Sequence, residues 1–326
     1  MGFEAIRGQA EALEFIRGSL ERQRIPSAFL FHGPGHVGKR TTALALAMAL
    51  NCARGQGDGC GECPSCRKIT ESLHPDVDTV KPDGQYIKID QVREVQERLS
   101  LIPYEARKRV IIFAQAERMN PQAANAFLKT LEEPPGDTLL ILCAEQPTRL
   151  LETIRSRCVP VRFALLGPQV VRDLMIAGKE LAPEVLDFAV RFSQGRVRPD
   201  LLENTPRWLE VRDAMIVLLE ALHRPVFPQV SEHCARWAGS EEWVFVLEWL
   251  ESWFRDLALL GDGVEESALI NGDRITALRQ ASAHFHPPLA TRCHQQVLDT
   301  REAIRVWNTN KTLALESLWL GFRHMN

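Results

Sequence analysis

No apolar run in the 326 residues approaches the roughly 18 that a membrane-spanning helix needs, and the first residues, MGFEAIRGQAEALEF, mix charge with apolar side chains where a secretion signal would hold an apolar core. The expected location is the cytoplasm. Neither sign of charge dominates: 39 Lys and Arg stand against 42 Asp and Glu, which excludes a strongly basic nucleic-acid coat but leaves room for a local basic groove. Fixed-period repeats and low-complexity tracts are absent, and with 45% hydrophobic and 25% charged residues the chain is globular, long enough for two or three domains. Eight cysteines do not form a disulfide framework, because four crowd between 52 and 66 while Cys143, Cys158, Cys234 and Cys293 stand alone as candidate buried thiols.

What is present divides near residue 166. Before it, short apolar runs at Ala28–Phe31, Val77–Val80, Val110–Phe113, Leu139–Cys143 and Val159–Phe163 alternate with helical patterns at Thr41–Asn51, Asp90–Leu101 and Gln122–Glu133. Runs without polar alternation suit strands covered on both faces, so the pattern predicts a doubly wound α/β domain with its ligand site at the carboxyl ends of the strands. Beyond Gly167-Pro168 only helical patterns remain: Gln169–Ala177, Pro183–Phe192 and a short third helix from Arg198, then a region holding all seven tryptophans. The expected division is 1–166 for the α/β domain, 167–206 for a small helical unit and 207–326 for a second helical domain. Within 243–257, Trp243, Val246, Leu247, Leu250, Phe254 and Leu257 form one apolar stripe with Trp249 and Trp253 beside it. Such a stripe serves as an ordinary helical core or doubles as a subunit interface.

After the first strand, residues 33–39 read G-P-G-H-V-G-K, the G-x-x-x-x-G-K pattern whose backbone N–H groups, Gly33 and Gly38 turns and Lys39 charge together cradle phosphate at a helix N-terminus. The next position should carry a hydroxyl for Mg²⁺, and it is Arg40, whose guanidinium offers no lone pair. The third strand should end in an acidic pair, yet it runs into Ala114-Gln115-Ala116-Glu117. Only Thr41 slipping into the place of Arg40 and Glu117 reaching back would rescue metal binding. Hydrolysis by this chain alone is therefore not expected, and the loop reads as a relic with a structural role.

Cys52, Cys60, Cys63 and Cys66 follow C-x₇-C-x₂-C-x₂-C, with Gly55, Gly57, Gly59, Gly61 and Pro64 for tight turns. Four thiolates close the shell of a tetrahedral Zn²⁺ and leave no position for water, so the site is structural, with an iron–sulfur cluster as the alternative. The module interrupts the α/β domain between its first helix and second strand and is expected to decorate the surface.

Two further stretches carry a family likeness. Asn125-Ala126-Phe127-Leu128-Lys129-Thr130-Leu131-Glu132-Glu133-Pro134-Pro135 and Ile154-Arg155-Ser156-Arg157-Cys158, together with the cysteine insertion, resemble the bacterial clamp-loader subunits of the AAA+ superfamily. The resemblance extends to Gly195-Arg196-Val197-Arg198, similar to the sensor-2 element of that family's lid, and to Asn308-Thr309-Asn310-Lys311, similar to the end of its helical collar. It implies an AAA+ sheet domain, lid and collar, and a non-motor subunit that helps load a sliding clamp on primed DNA beside motor (gamma/tau) and delta subunits. Arg157 would be an arginine finger acting in trans on a neighbour's ATP, and Arg198 a sensor for a site that no longer needs one. Without that resemblance, Arg157 reads as a plain salt bridge at a domain edge. At the first sensor the fourth strand leads into Ala144-Glu145-Gln146-Pro147 where active members carry Thr or Asn, a third defect in the same site. The competing expectation is a self-sufficient motor subunit that tolerates these substitutions.

Overall fold

The structure is a computed structural model that describes residues 2–55, 57–177, 181–222 and 227–325, the side chain of Leu202 aside. The chain forms two compact units, one running through Val171 and including Gly195–Val197, the other made of Arg172–Gln194 and the residues from Arg198 onward. Among the described residues no helix is long and apolar enough to cross a membrane.

The first unit holds five parallel strands, β1 (Ala28–His32), β2 (Val77–Val80), β3 (Arg109–Ala114), β4 (Thr138–Ala144) and β5 (Val159–Arg162), in the order β2-β3-β4-β1-β5. Because successive strand residues point to opposite faces, each apolar run feeds two cores at once. Phe29, Phe31, Val110, Ile112, Leu139, Ile141 and Cys143 face one layer with α1 (Ala10–Glu21), α2 (Lys39–Asn51) and α3 (Pro64–Thr70). Leu30, Ile111, Phe113, Leu140, Leu142 and Ala144 face the other, with α4 (Ile89–Ser100), α5 (Pro121–Glu132) and α6 (Glu152–Arg155). All five expected strands and three expected helices form within two residues of their predicted ends. Helix α1 carries no separate prediction. Its buried positions Ala12, Leu13 and Ile16 follow three- and four-residue spacing, but only three residues of the helix are buried and Phe15 stays exposed.

Two buried polar devices tie down the starts of β2 and β3. Asp76 accepts backbone N–H bonds from Tyr104, Glu105 and Ala106 at 2.8–3.0 Å and an Nη2 bond from Arg109 at 3.3 Å. Burial alone would raise its pKa, but these donors outweigh it and hold the carboxyl below its usual value. Asn51 ties the end of α2 to Lys108, donating to its carbonyl at 2.9 Å and accepting from its N–H at 3.0 Å.

α7 (Pro168–Ile176) follows, and the second unit contains α8 (Pro183–Ser193), α9 (Pro199–Glu220), α10 (Phe227–Ala238), α11 (Glu242–Gly261), α12 (Ile275–Ser282), α13 (Pro287–Trp307) and α14 (Lys311–Met325). The helix expected to be short from Arg198 is α9, 22 residues long, and the expected 206/207 boundary falls inside it. Pro206 stays within the helix. Helix α11 is the centre of this unit: Phe245, Val246, Leu247, Trp249, Leu250, Trp253, Phe254 and Leu257 are all at most 1% exposed. The tryptophans expected beside the stripe, Trp249 and Trp253, are as deeply buried as the stripe and stack at 4.9 Å, while Trp243 is only half-buried. The stripe is the unit's core.

Candidate functional site

The phosphate loop has the backbone its sequence calls for. Gly33 adopts φ +139°, and a Cβ there would lie 2.1 Å from the carbonyl oxygen of Phe163, so only glycine fits beside the chain leaving β5. Gly38, at φ 101°, caps the start of α2. The buried Gln9 side chain braces the loop, donating to the Val37 and Ala164 carbonyls at 3.1 and 2.8 Å, while Val197 N–H donates to His36 O at 2.9 Å.

The loop's side chains are turned to other uses. Lys39 is only 8% exposed and donates to the loop's own carbonyls at Gly33, 2.7 Å away, and Pro34. Burial lowers its pKa, opposed chiefly by the negative charge of Glu145 and also by that of Glu117. Arg40 is exposed, and so is Thr41, which had been the candidate to replace it. Thr42 instead is buried, its hydroxyl donating to Gly38 O at 2.9 Å. After β3, Gln115 takes a left-handed conformation, and Glu117 Oε1 accepts the N–H of Glu145, just past β4, at 3.0 Å.

Cys52, Cys60, Cys63 and Cys66 converge, with all four sulfur atoms within 4.8 Å of one another. A tetrahedral ion with metal–sulfur bonds of about 2.3 Å requires sulfurs roughly 3.8 Å apart, so this donor set fits a metal. Local folding explains the convergence. Cys63 is the N-cap of α3, Pro64 begins that helix, and the Cys63 and Cys66 N–H groups point at the Cys60 and Cys63 sulfurs at 3.3 and 3.5 Å. Backbone N–H bonds from Cys63 and Glu62 push the Cys60 thiol down to about 6, whereas burial pushes Cys66 up to about 12. The expectation of a surface decoration is corrected: Cys52, Cys63 and Cys66 are buried in one core with Phe3, Met48 and Ile69. The reason is that Cys52 ends α2 and α3 packs back on that helix, so the thiols point inward and only the intervening turn is exposed. Phe3 N–H donates to Asp58 Oδ1 at 2.7 Å, fastening the first residues to that turn.

Arg157 follows α6 at the surface, 36% exposed. Its Nε and Nη2 donate to Oε1 of Glu132 at 3.0 and 2.5 Å, and its Nη1 donates to Thr153 O at 2.9 Å. The two family stretches thus meet, since Glu132 ends α5. Cys158 beside it is buried, its thiol pushed up to about 12 by burial, as are those of Cys143, Cys234 and Cys293. Arg198 lies in the second unit, paired with Asp200 and with Glu248 at 2.6 Å; burial opposes its charge, and these two carboxylates more than offset that. Sequence reasoning missed Gln9, Asp76 and the Glu132 partner of Arg157; only Glu132, inside a quoted stretch, carried a signal.

Parallel strands in this order with a phosphate loop after β1 define an AAA+ domain, here with a four-cysteine module and followed in the chain by a helical unit. A family model described as DNA polymerase III, delta subunit matches residues 8–166, and a second, described as its C-terminal part, matches residues 233–324. DNA polymerase III subunit delta' of Bacillus subtilis is 35% identical over 66% of this chain and 65% of its own length, and that of Pseudomonas aeruginosa 43% identical over 43% and 44%. The gamma/tau subunit of Mycobacterium bovis is 35% identical over 58% of this chain and 33% of its own. The chain belongs to the DNA polymerase III delta-prime family. It covers less than two thirds of the length of each of these relatives.

Proposed function

We propose that this chain is a non-motor subunit of the DNA polymerase III clamp loader, acting in the cytoplasm with motor (gamma/tau) and delta subunits to load the sliding clamp on primed DNA. The observation that carries this reading is the phosphate loop: correct in backbone, with an exposed Arg40 where Mg²⁺ needs a hydroxyl, Ala114-Gln115 where it needs carboxylates, and Lys39 bonded to the loop itself. On this reading 167–206 is the lid and 207–326 the collar through which the subunit assembles.

Arg157 is the proposed arginine finger. To serve a neighbour's ATP it exchanges the Glu132 carboxylate for a phosphoryl oxygen, and because an exposed ion pair contributes only about 0–1 kcal/mol, the exchange is cheap. There it would stabilise the charge developing on the transferring phosphoryl group. The cysteine module would hold one structural Zn²⁺, with no open position for substrate. The alternative, a self-sufficient motor, draws on the gamma/tau likeness. Mixing the purified chain with motor and delta subunits should yield one complex containing all three, while the chain alone should not turn over ATP. Turnover that requires Lys39 would overturn the non-motor reading in favour of the motor. Elemental analysis should find one zinc per chain; iron with visible absorption would remove the zinc assignment.

A further inference from the structure

One charge at the phosphate loop is not called for by the loop motif. Strand β4 ends at Ala144, and Glu145 follows with its N–H held by Glu117 Oε1 at 3.0 Å. Its side chain leans across to the loop: a Cβ built on Gly35 would lie 2.6 Å from Glu145 Oε1 and 3.3 Å from Oε2. Glu145 is exposed, whereas Gly35 and Lys39 are buried. The carboxylate therefore stands on the solvent side of the loop backbone at Gly35. Among the charges acting on Lys39, Glu145 is the strongest that favours its protonated form.

We infer that Glu145 is the built-in counter-ion of the phosphate loop, a carboxylate at its mouth that excludes phosphate anions from a backbone otherwise shaped to take them. The inference rests on the non-motor reading and deepens it. Phosphate binds such a loop because N–H groups and a lysine meet its negative charge in a partly desolvated cradle. Here the ammonium is already bonded to two carbonyls, so an incoming anion gains less from it, and the Glu145 carboxylate over Gly35 repels that anion across a region of lower effective dielectric than water. Gly35 is part of the device, since any side chain there would push the carboxylate away. The missing Mg²⁺ handles and Glu145 act separately: without magnesium a nucleotide's phosphates could still settle in an open loop, whereas the carboxylate bars even a metal-free anion.

Inorganic pyrophosphate, titrated calorimetrically into the full chain in low salt without magnesium, isolates this effect. Wild type is expected to bind weakly or not at all at millimolar concentration. Glu145→Ala should bind at least tenfold more tightly, and adding Lys39→Ala should abolish the gain. Glu145→Gln, which keeps the side chain's size while removing its charge, should show a smaller gain of the same kind. Two folded single variants, checked by circular dichroism, that bind no more tightly than wild type would overturn the inference, as would a gain that survives loss of Lys39. Either outcome leaves the non-motor reading standing, because that reading falls only to Lys39-dependent ATP turnover by the wild-type chain.

Discussion

The cysteine module and the phosphate loop lie at opposite ends of α2 and have had opposite fates. At the module every ligand the spacing promises arrives: four sulfurs within 4.8 Å, turned inward by α3 and aimed by backbone N–H groups. At the loop the backbone arrives and the chemistry does not, because Lys39 bonds to carbonyls, Arg40 and Thr41 face solvent, and Glu117 holds the N–H of Glu145. A motif built from one ligand type is complete when its members converge. One that needs a backbone cradle, a cation, a hydroxyl and a carboxylate can keep the cradle for structure after losing the rest.

The harshest test of that contrast is the module. Structural zinc in small peptides is worth about 10–16 kcal/mol at neutral pH, and three of the four cysteines belong to a sheet core. Cys66→Ala should therefore cost the first unit at least about 5 kcal/mol in urea unfolding, with hydrogen-exchange protection lost along α2 as well as in the module. Loss confined to residues 52–66 would return the module to the role of a surface ornament. Next comes Arg157, a site complete only when a neighbour supplies the phosphate. In the reconstituted complex Arg157→Ala should slow single-turnover hydrolysis at one motor site by on the order of 10³ to 10⁵ while assembly and metal content hold, and Arg157→Lys should rescue little. Wild-type hydrolysis and clamp loading would leave only its salt bridge to Glu132.

Asp76 sharpens the comparison as a carboxylate with a purely structural duty. Asp76→Asn leaves Arg109 buried without its ion-pair partner and should cost about 3 kcal/mol. Because the folded-state pKa of Asp76 lies below its unfolded value of about 3.9, its contribution is full above that pH and fades as pH falls through the lower, folded value. The gap between wild type and variant in urea midpoint should thus be wide at pH 7 and narrow toward pH 3. The smallest effect belongs to Lys39→Ala. It should leave ATP turnover by the isolated chain unchanged and cost about 1 to 2 kcal/mol from two lost carbonyl bonds.

The five strands were legible because burial on both sheet faces leaves unbroken apolar runs, and the cysteine ligands because spacing alone brings them together. The length of α9 was not, since a proline normally breaks a helix and Pro206 lies inside this one. Long-range polar ties were invisible for a different reason: Gln9 and Ala164, or Asp76 and Arg109, share no local pattern, and nothing in either residue announces its partner. The inward orientation of the cysteines also escaped, because spacing fixes a ligand set but not which way the set faces the sheet.

The order of strands carries a consequence for how the chain is made. Ala28 on β1 pairs with Leu140 and Phe29 with Val159, so this inner strand meets both its neighbours only after more than a hundred further residues have been synthesised. At about 5–20 residues per second that wait is on the order of 10 seconds, during which two unpaired edges and an apolar AFLF segment lack their final cover. The four thiols, complete at residue 66, could close on a metal ion well before then. During translation the module is thus an early tertiary element available to hold α2 in place while β1 waits for the rest of its sheet.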